Sequence, residues 1–338
     1  MSNFLQHRPL CLASSSPLII RSVTSPRCLI RIPATLTRFF TTCWLRESIL
    51  HPPLLRVDSC LALILNKNFQ QLWMRLIQRS KIFNPHKVKN MYDVYGIGNA
   101  LVDSEYEVVD SFLESNHYQK GSMTLVDAQQ RTDLILALER KHKLQKTKLS
   151  GGGSAANSMV IIAQLGGKAF YSCKVANDLT GDFFVTDLST AGVATNLKSN
   201  REPGVTGECI SMISPDAERT LMTHLGITEN LSVKDLDETA LKNASYLYIE
   251  GYLVSSPTAF EAALTAQRIA KQAGVAVSLT LSDMTMVENF RAEFDTLIDR
   301  GVDLLFCNED EARICTQSNN REDMVRILDQ RVSSFALT

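Results

Sequence analysis

The stretch Ser150–Asn157 (SGGGSAAN) decides how this 338-residue chain is read. Gly151, Gly152 and Gly153 are consecutive, and without a Cβ their backbone can turn sharply and approach a ligand closely. Ser158–Leu165 (SMVIIAQL) follows and predicts a buried apolar helix closed by Gly166 and Gly167. A glycine loop opening a helix presents free N–H groups to a polar or anionic ligand. Asn157, one turn in, adds a side-chain donor and acceptor to the same pocket. Many glycine runs are plain turns, so the flanking segments carry the weight.

Downstream, Tyr246–Glu250, Val275–Leu281 and Asp303–Cys307 are strand-like runs separated by helical stretches. Over residues 258–273, Phe260, Ala263, Leu264 and Ile269 keep the spacing of an amphipathic helix. Strands alternating with helices of this length imply right-handed βαβ units and a parallel sheet, an α/β fold. Ligand groups then belong at the carboxyl ends of strands, where Asp103, Asp283 and Asn308 are expected. A different pattern lies near residues 204–225: Gly207–Ile213 and Glu218–Thr223 read as a hairpin around a Pro215–Asp216 turn.

These segments, in this order, resemble the PfkB-type (ribokinase-like) carbohydrate and nucleoside kinases. Gly152, Gly153 and Asn157 occupy the places of a Gly-Gly-x-x-x-Asn signature that binds the substrate's sugar. Met91–Asp103 (MYDVYGIGNALVD) looks like the family's opening strand and turn. The resemblance implies that Asp103, with Asn99, holds sugar hydroxyls, a task an ionised carboxylate suits because it accepts two hydroxyl protons. Without the glycine motif, Asp103 reads as a loop residue capping its own backbone. Asn308 and Glu311 match an Asn-x-x-Glu element that places magnesium through water, although acidic residues after a strand also read as helix N-terminal charges. The hairpin matches a small β-sheet lid, with segments near 98–127 and 204–225. Arg219 matches an arginine near the transferred phosphate, a role that suits guanidinium; the other reading is a solvent-facing strand arginine.

The implied fold is the ribokinase-like three-layer α/β fold, a mainly parallel central sheet with a lid, and the implied cofactors are ATP and Mg²⁺. The segments GIGNALVD, GGSAAN and PDAERT look most like adenosine-kinase-type members. The expected reaction is therefore phosphorylation of the 5′-hydroxyl of adenosine or a related nucleoside. The alternatives are a free-sugar kinase of ribokinase or fructokinase type and a non-catalytic nucleoside- or sugar-binding remnant. A homodimer through the lid is the expected assembly. The family's second signature, a Gly-Ala-Gly-Asp-like segment carrying the general base and an anion hole, does not occur in the 338 residues. The chain is thus expected to be a fragment with its C-terminal part missing, leaving an unpaired sheet edge and an uncovered core face.

Charge divides the chain. Residues 1–90 hold 13 Lys+Arg against 2 Asp+Glu, whereas residues 91–338 hold 22 against 34. The acidic part argues against a nucleic-acid partner. Residues 1–90, rich in Ser and Arg, read as a transit peptide or as upstream sequence translated from an early start codon, with Met91 the natural first residue. The second reading is preferred, and the segment is expected to be disordered. Residues 91–338 are then the incomplete kinase domain. The apolar run at residues 60–65 is too short for a membrane span. Of eight cysteines none forms a CxxC pair, and those after residue 91 read as reduced core residues suited to a cytoplasmic protein.

Overall fold

The computed structural model describes residues 19–22, 29–31, 91–197 and 201–338. The expectation for residues 1–90 therefore lies outside the described residues, apart from two short strands, β1 (Ile19–Ser22) and β2 (Leu29–Arg31). The chain continues through β3 (Tyr92–Ile97), β4 (Leu101–Glu107), α1 (Asp110–Ser115) and β5 (Met123–Leu125). Next come α2 (Ala128–Ile135), extended by a π turn, then β6 (Lys148–Gly152), α3 (Ser154–Gln164) and β7 (Ala169–Ser172). After α4 (Leu179–Thr190) and β8 (Ala194–Thr195) lies the hairpin β9 (Gly207–Ile213) and β10 (Arg219–His224). The last part holds α5 (Glu238–Lys242), β11 (Ala244–Ile249), α6 (Pro257–Ala273), β12 (Ala276–Thr280), α7 (Met284–Asn289) and α8 (Arg291–Asp299). It closes with β13 (Leu304–Cys307), α9 (Glu309–Thr316), α10 (Arg321–Arg331) and β14 (Ser334–Leu337).

Two sheets result. The central sheet has the order β2-β1-β14-β13-β12-β11-β3-β7-β8 and is parallel from β14 to β8. Parallel strands covered on both faces are apolar throughout, and β7 is buried at all four positions. One core packs α6, α8, α9 and α10 against β11–β14, and a second packs α3 and α4 over β3 and β7. These are the three layers expected. The helix over 257–273 forms as read, but alanines make its seam: Ala259, Ala262, Ala263, Ala266 and Ala270 are buried, whereas Phe260 and Leu264 are only partly so. Small side chains let this helix lie close on the sheet.

The edge expected to be bare is paired. Ile19–Ser22 runs antiparallel along β14, which satisfies its backbone. Burial alternates along β13 and β14. Leu305, Cys307, Phe335 and Leu337 are buried, while Leu304, Phe306, Ser334 and Ala336 are half-buried.

The second sheet has the order β5-β10-β9-β4-β6. The hairpin forms with Arg219 opposite Ile213, as the Pro-Asp turn predicts. One face of this sheet, with Tyr106, Ile210, Met212 and Met222, makes a third core against α1 and α2. The other face is open and carries Asp103, Glu105 and Arg219. The chain leaves β3, builds part of this sheet, returns to β7, and later re-enters on the far side of β3 as β11. That reversal puts the topological switch point at the carboxyl ends of β3 and β11, the usual ligand position in such sheets.

Candidate active site

The glycine run is a strand before it is a turn. Lys148–Gly152 pairs antiparallel with β4, placing Gly152 opposite Leu101 and Ser150 opposite Asp103. Only Gly153 turns, at φ 101°, and a Cβ there would collide with the main-chain carbonyl oxygen of Asn99. A Cβ at Gly152 would collide with the Asp103 carboxylate, lying 2.6 Å from its Oδ1. A Cβ at Gly151 would stand 2.6 Å from Asp187 Oδ2. Each glycine is therefore fixed by what approaches it.

The helix starts four residues earlier than the apolar pattern suggests, at Ser154, because the first turn uses Ala155 and Ala156 as its buried contacts. It is also less buried than expected: Val160, Ile161 and Ile162 are half-buried. Its N–H groups are not free. Glu250, one residue past β11 and fully buried, accepts from Ala155 N at 3.0 Å and from Asn99 N at 2.6 Å, and Ser154 donates to it from backbone and hydroxyl. Burial pushes this carboxyl up, and the four donors pull it back. The anion expected at this helix N-terminus is thus the protein's own side chain. Asn99 is committed in the same way: its carbonyl accepts from Tyr171 Oη at 2.7 Å and its Oδ1 from Thr228 Oγ1 at 3.4 Å.

Asp103 stands differently. It lies inside β4, not at the carboxyl end of a parallel strand, because β3 ends at Ile97 and the chain has already crossed to the second sheet. Its carboxylate accepts no hydrogen bond among the described residues. Burial, then the charge of Glu105, push it up to about 6 against the pull of Lys148 and Arg219. Asn157, exposed one turn into α3, likewise has no side-chain partner among the described residues. Arg219 and Lys148 each reach Glu105 Oε1 at 3.7 Å on the same open face. Arg219 is two register steps along the sheet from the row of Asp103.

Asn308 and Glu311 form a capping box at the start of α9. Asn308 Oδ1 accepts from Glu311 N at 2.8 Å, while Asn308 N and Nδ2 donate to the two Glu311 oxygens at 3.0 and 2.9 Å. Burial raises Glu311, with Asp283 and Asp310 adding to it. Asp283 itself caps α7 through Thr285 N at 2.8 Å. Among the described residues no three His, Cys, Asp or Glu side chains could hold a metal directly.

Three functional positions escape sequence reasoning. Glu250 had one signal, a carboxylate closing an apolar strand run. Tyr252 had none. It is half-buried with no hydroxyl partner among the described residues, and burial together with Asp283, Glu250, Glu311 and Cys209 holds its phenol well above the usual range. Asp187, on α4, accepts from Gly151 N at 2.9 Å. The described cysteines, 173, 209, 307 and 315, are all free and buried, as expected. No described helix is long and apolar enough to cross a membrane.

Residues 121–337 match the sequence model described as pfkB family carbohydrate kinase. An adenosine kinase from Sinorhizobium meliloti is 34% identical, with a TM-score of 0.66, covering 74% of this chain and 75% of that one. A probable sugar kinase from Rhizobium etli CFN 42 is 34% identical with the same TM-score, covering 74% of each chain. Guanosine-inosine kinase of Escherichia coli K12 is 26% identical over 240 residues, 69% of this chain and 55% of the relative. The chain spans from 37% to 56% of other curated relatives it matches.

Proposed function

The chain belongs to the pfkB family of carbohydrate kinases, and on that premise we propose that the crevice beside β6 holds the hydroxyl-bearing acceptor of an ATP-dependent phosphoryl transfer. The observation that carries this is Asp103: a desolvated carboxylate, without a hydrogen bond among the described residues, set against a glycine where a Cβ would collide with it. Two sugar hydroxyls would complete its acceptor positions, with Asn157 supplying the facing amide and Gly152 and Gly153 allowing close approach. Asn99 shapes the floor through its backbone. Arg219 would turn from Glu105 toward the transferred phosphoryl group, whose spread negative charge suits guanidinium. Asn308 and Glu311 would order the waters of Mg²⁺, which bridges and neutralises the phosphates in such transfers.

The acceptor is proposed to be a nucleoside, adenosine first, phosphorylated at its 5′-hydroxyl. The adenosine kinase and guanosine-inosine kinase among the relatives support this, and the half-buried ring of Tyr252 offers an apolar wall that a free sugar would not need. Because no Gly-x-Gly-Asp segment occurs in the sequence, the general base is not assigned here. The second reading is nucleoside binding without transfer. Two copies would meet through the open face of the second sheet, where Met123 and Leu125 are 42% and 54% exposed. The test is calorimetric titration with adenosine, ribose and fructose, followed by a phosphate-transfer assay with Mg²⁺ and ATP. Adenosine binding with transfer supports the kinase. Binding without transfer supports the second reading. Preference for ribose or fructose defeats the nucleoside assignment.

A further inference from the structure

Two aspartates of α4 grip the second sheet where its strands leave the central one. Asp178 caps the helix, accepting from Gly181 N at 2.7 Å, and also accepts from Thr206 N at 2.8 Å and Thr206 Oγ1 at 2.6 Å, immediately before β9. Nine residues on, Asp187 Oδ2 accepts from Gly151 N at 2.9 Å. β6 is an edge strand, paired only with β4, so this N–H faces away from the sheet and has no strand to meet. The helix beneath is firm, since Phe184 and Leu188 lie in the core with Ala155, Ala156 and Met159. Asp187 itself is exposed and contributes nothing to that core.

Register carries the grip to the pocket. Gly151 is opposite Val102, and the next residue, Gly152, is the one against which the Asp103 carboxylate lies. Asn157 is fixed to the body through α3. The separation of Asp103 and Asn157 is thus set by how β6 is held. We propose that Asp187 is a positioning residue for the acceptor pocket, latching β6 to α4 through the Gly151 N–H and so placing Asp103 opposite Asn157. This rests on the acceptor-site reading above.

The test compares Asp187→Ala with Asp187→Asn, whose amide oxygen can still accept. Adenosine affinity is measured by calorimetry, and Gly151 amide exchange by NMR in the ligand-free full chain. The alanine variant is expected to bind adenosine about tenfold more weakly, the loss of one charge-assisted hydrogen bond, and to exchange Gly151 faster. The asparagine variant should stay within about threefold and keep Gly151 protected. Wild-type affinity in the alanine variant overturns the proposal, and so does an equal loss in both, which would mean that the charge acts through space. If the wild type binds neither adenosine nor ribose, the acceptor-site reading falls. The exchange arm still decides the latch, because an unprotected Gly151 in the wild type overturns it.

Discussion

Asp103 and Glu311 were picked out by the same kind of pattern, a carboxylate near the end of a strand, yet the structure treats them in opposite ways. Both Glu311 oxygens are held by Asn308 within a single helix cap. Asp103 is desolvated and held by nothing among the described residues. Glu250 resembles Glu311, with every donor near it committed to its carboxylate. A buried acid with its partners in place stabilises a fold; one without them costs stability, and a ligand can repay that cost. Hydrogen-bond accounting therefore separates the unsatisfied carboxylate from the satisfied ones, which residue type and position do not.

The comparison breaks if Asp103 proves structural. Asp103→Asn should lower adenosine affinity about a hundredfold, roughly 3 kcal/mol for two charge-assisted hydrogen bonds. Thermal unfolding should show no loss of stability. The sign follows from linkage: burial pushes the folded Asp103 up to about 6, above the usual carboxylate value of 3.8. Its contribution to stability is therefore present below pH 4 and lost as pH rises through 6. The asparagine variant should accordingly melt higher than the wild type at pH 7.5 and level with it near pH 4. A melting point that falls at pH 7.5 would make Asp103 an ordinary structural acid.

Glu250→Gln should do the reverse, costing about 2–3 kcal/mol in urea unfolding, because an amide cannot accept with both ends from the N–H groups of Asn99, Ser154 and Ala155. Unchanged unfolding combined with lost adenosine affinity would show that Glu250 belongs with Asp103. A pH series sharpens the contrast. Wild-type affinity should fall about tenfold per unit below pH 6 as Asp103 protonates, whereas Asp103→Asn should follow a flat profile. Calorimetry at pH 5, 6 and 7 distinguishes these. The smallest effect belongs to Asn308→Ala, the loss of one N-cap worth about 1 kcal/mol. It should appear in unfolding while adenosine affinity holds, and a fall in affinity would place this cap in the acceptor pocket.

Periodicity made much of the frame legible. β11, β12, β13, the 207–224 hairpin and α6 all stand where alternation, apolar runs and turn residues put them. The glycine stretch was read correctly as a place of close approach but wrongly as a loop with free N–H groups. Strand pairing depends on β4, about fifty residues earlier, and the donors are filled by Glu250, about a hundred residues later. Neither distance leaves a mark on local pattern. Asp187 was invisible for the same reason, since an exposed helix aspartate looks like any other until an edge strand is placed beside it.

Sequence by itself determined the alternation of strands and helices that builds the parallel sheet, because this follows from local stereochemistry and from the spacing of apolar side chains. Tertiary structure alone decided which polar groups remain available. Whether a carboxylate is satisfied depends on donors brought from other elements, and only the folded chain assigns Glu250 to the helix N-terminus, Glu311 to its own cap, and Asp103 to the open crevice.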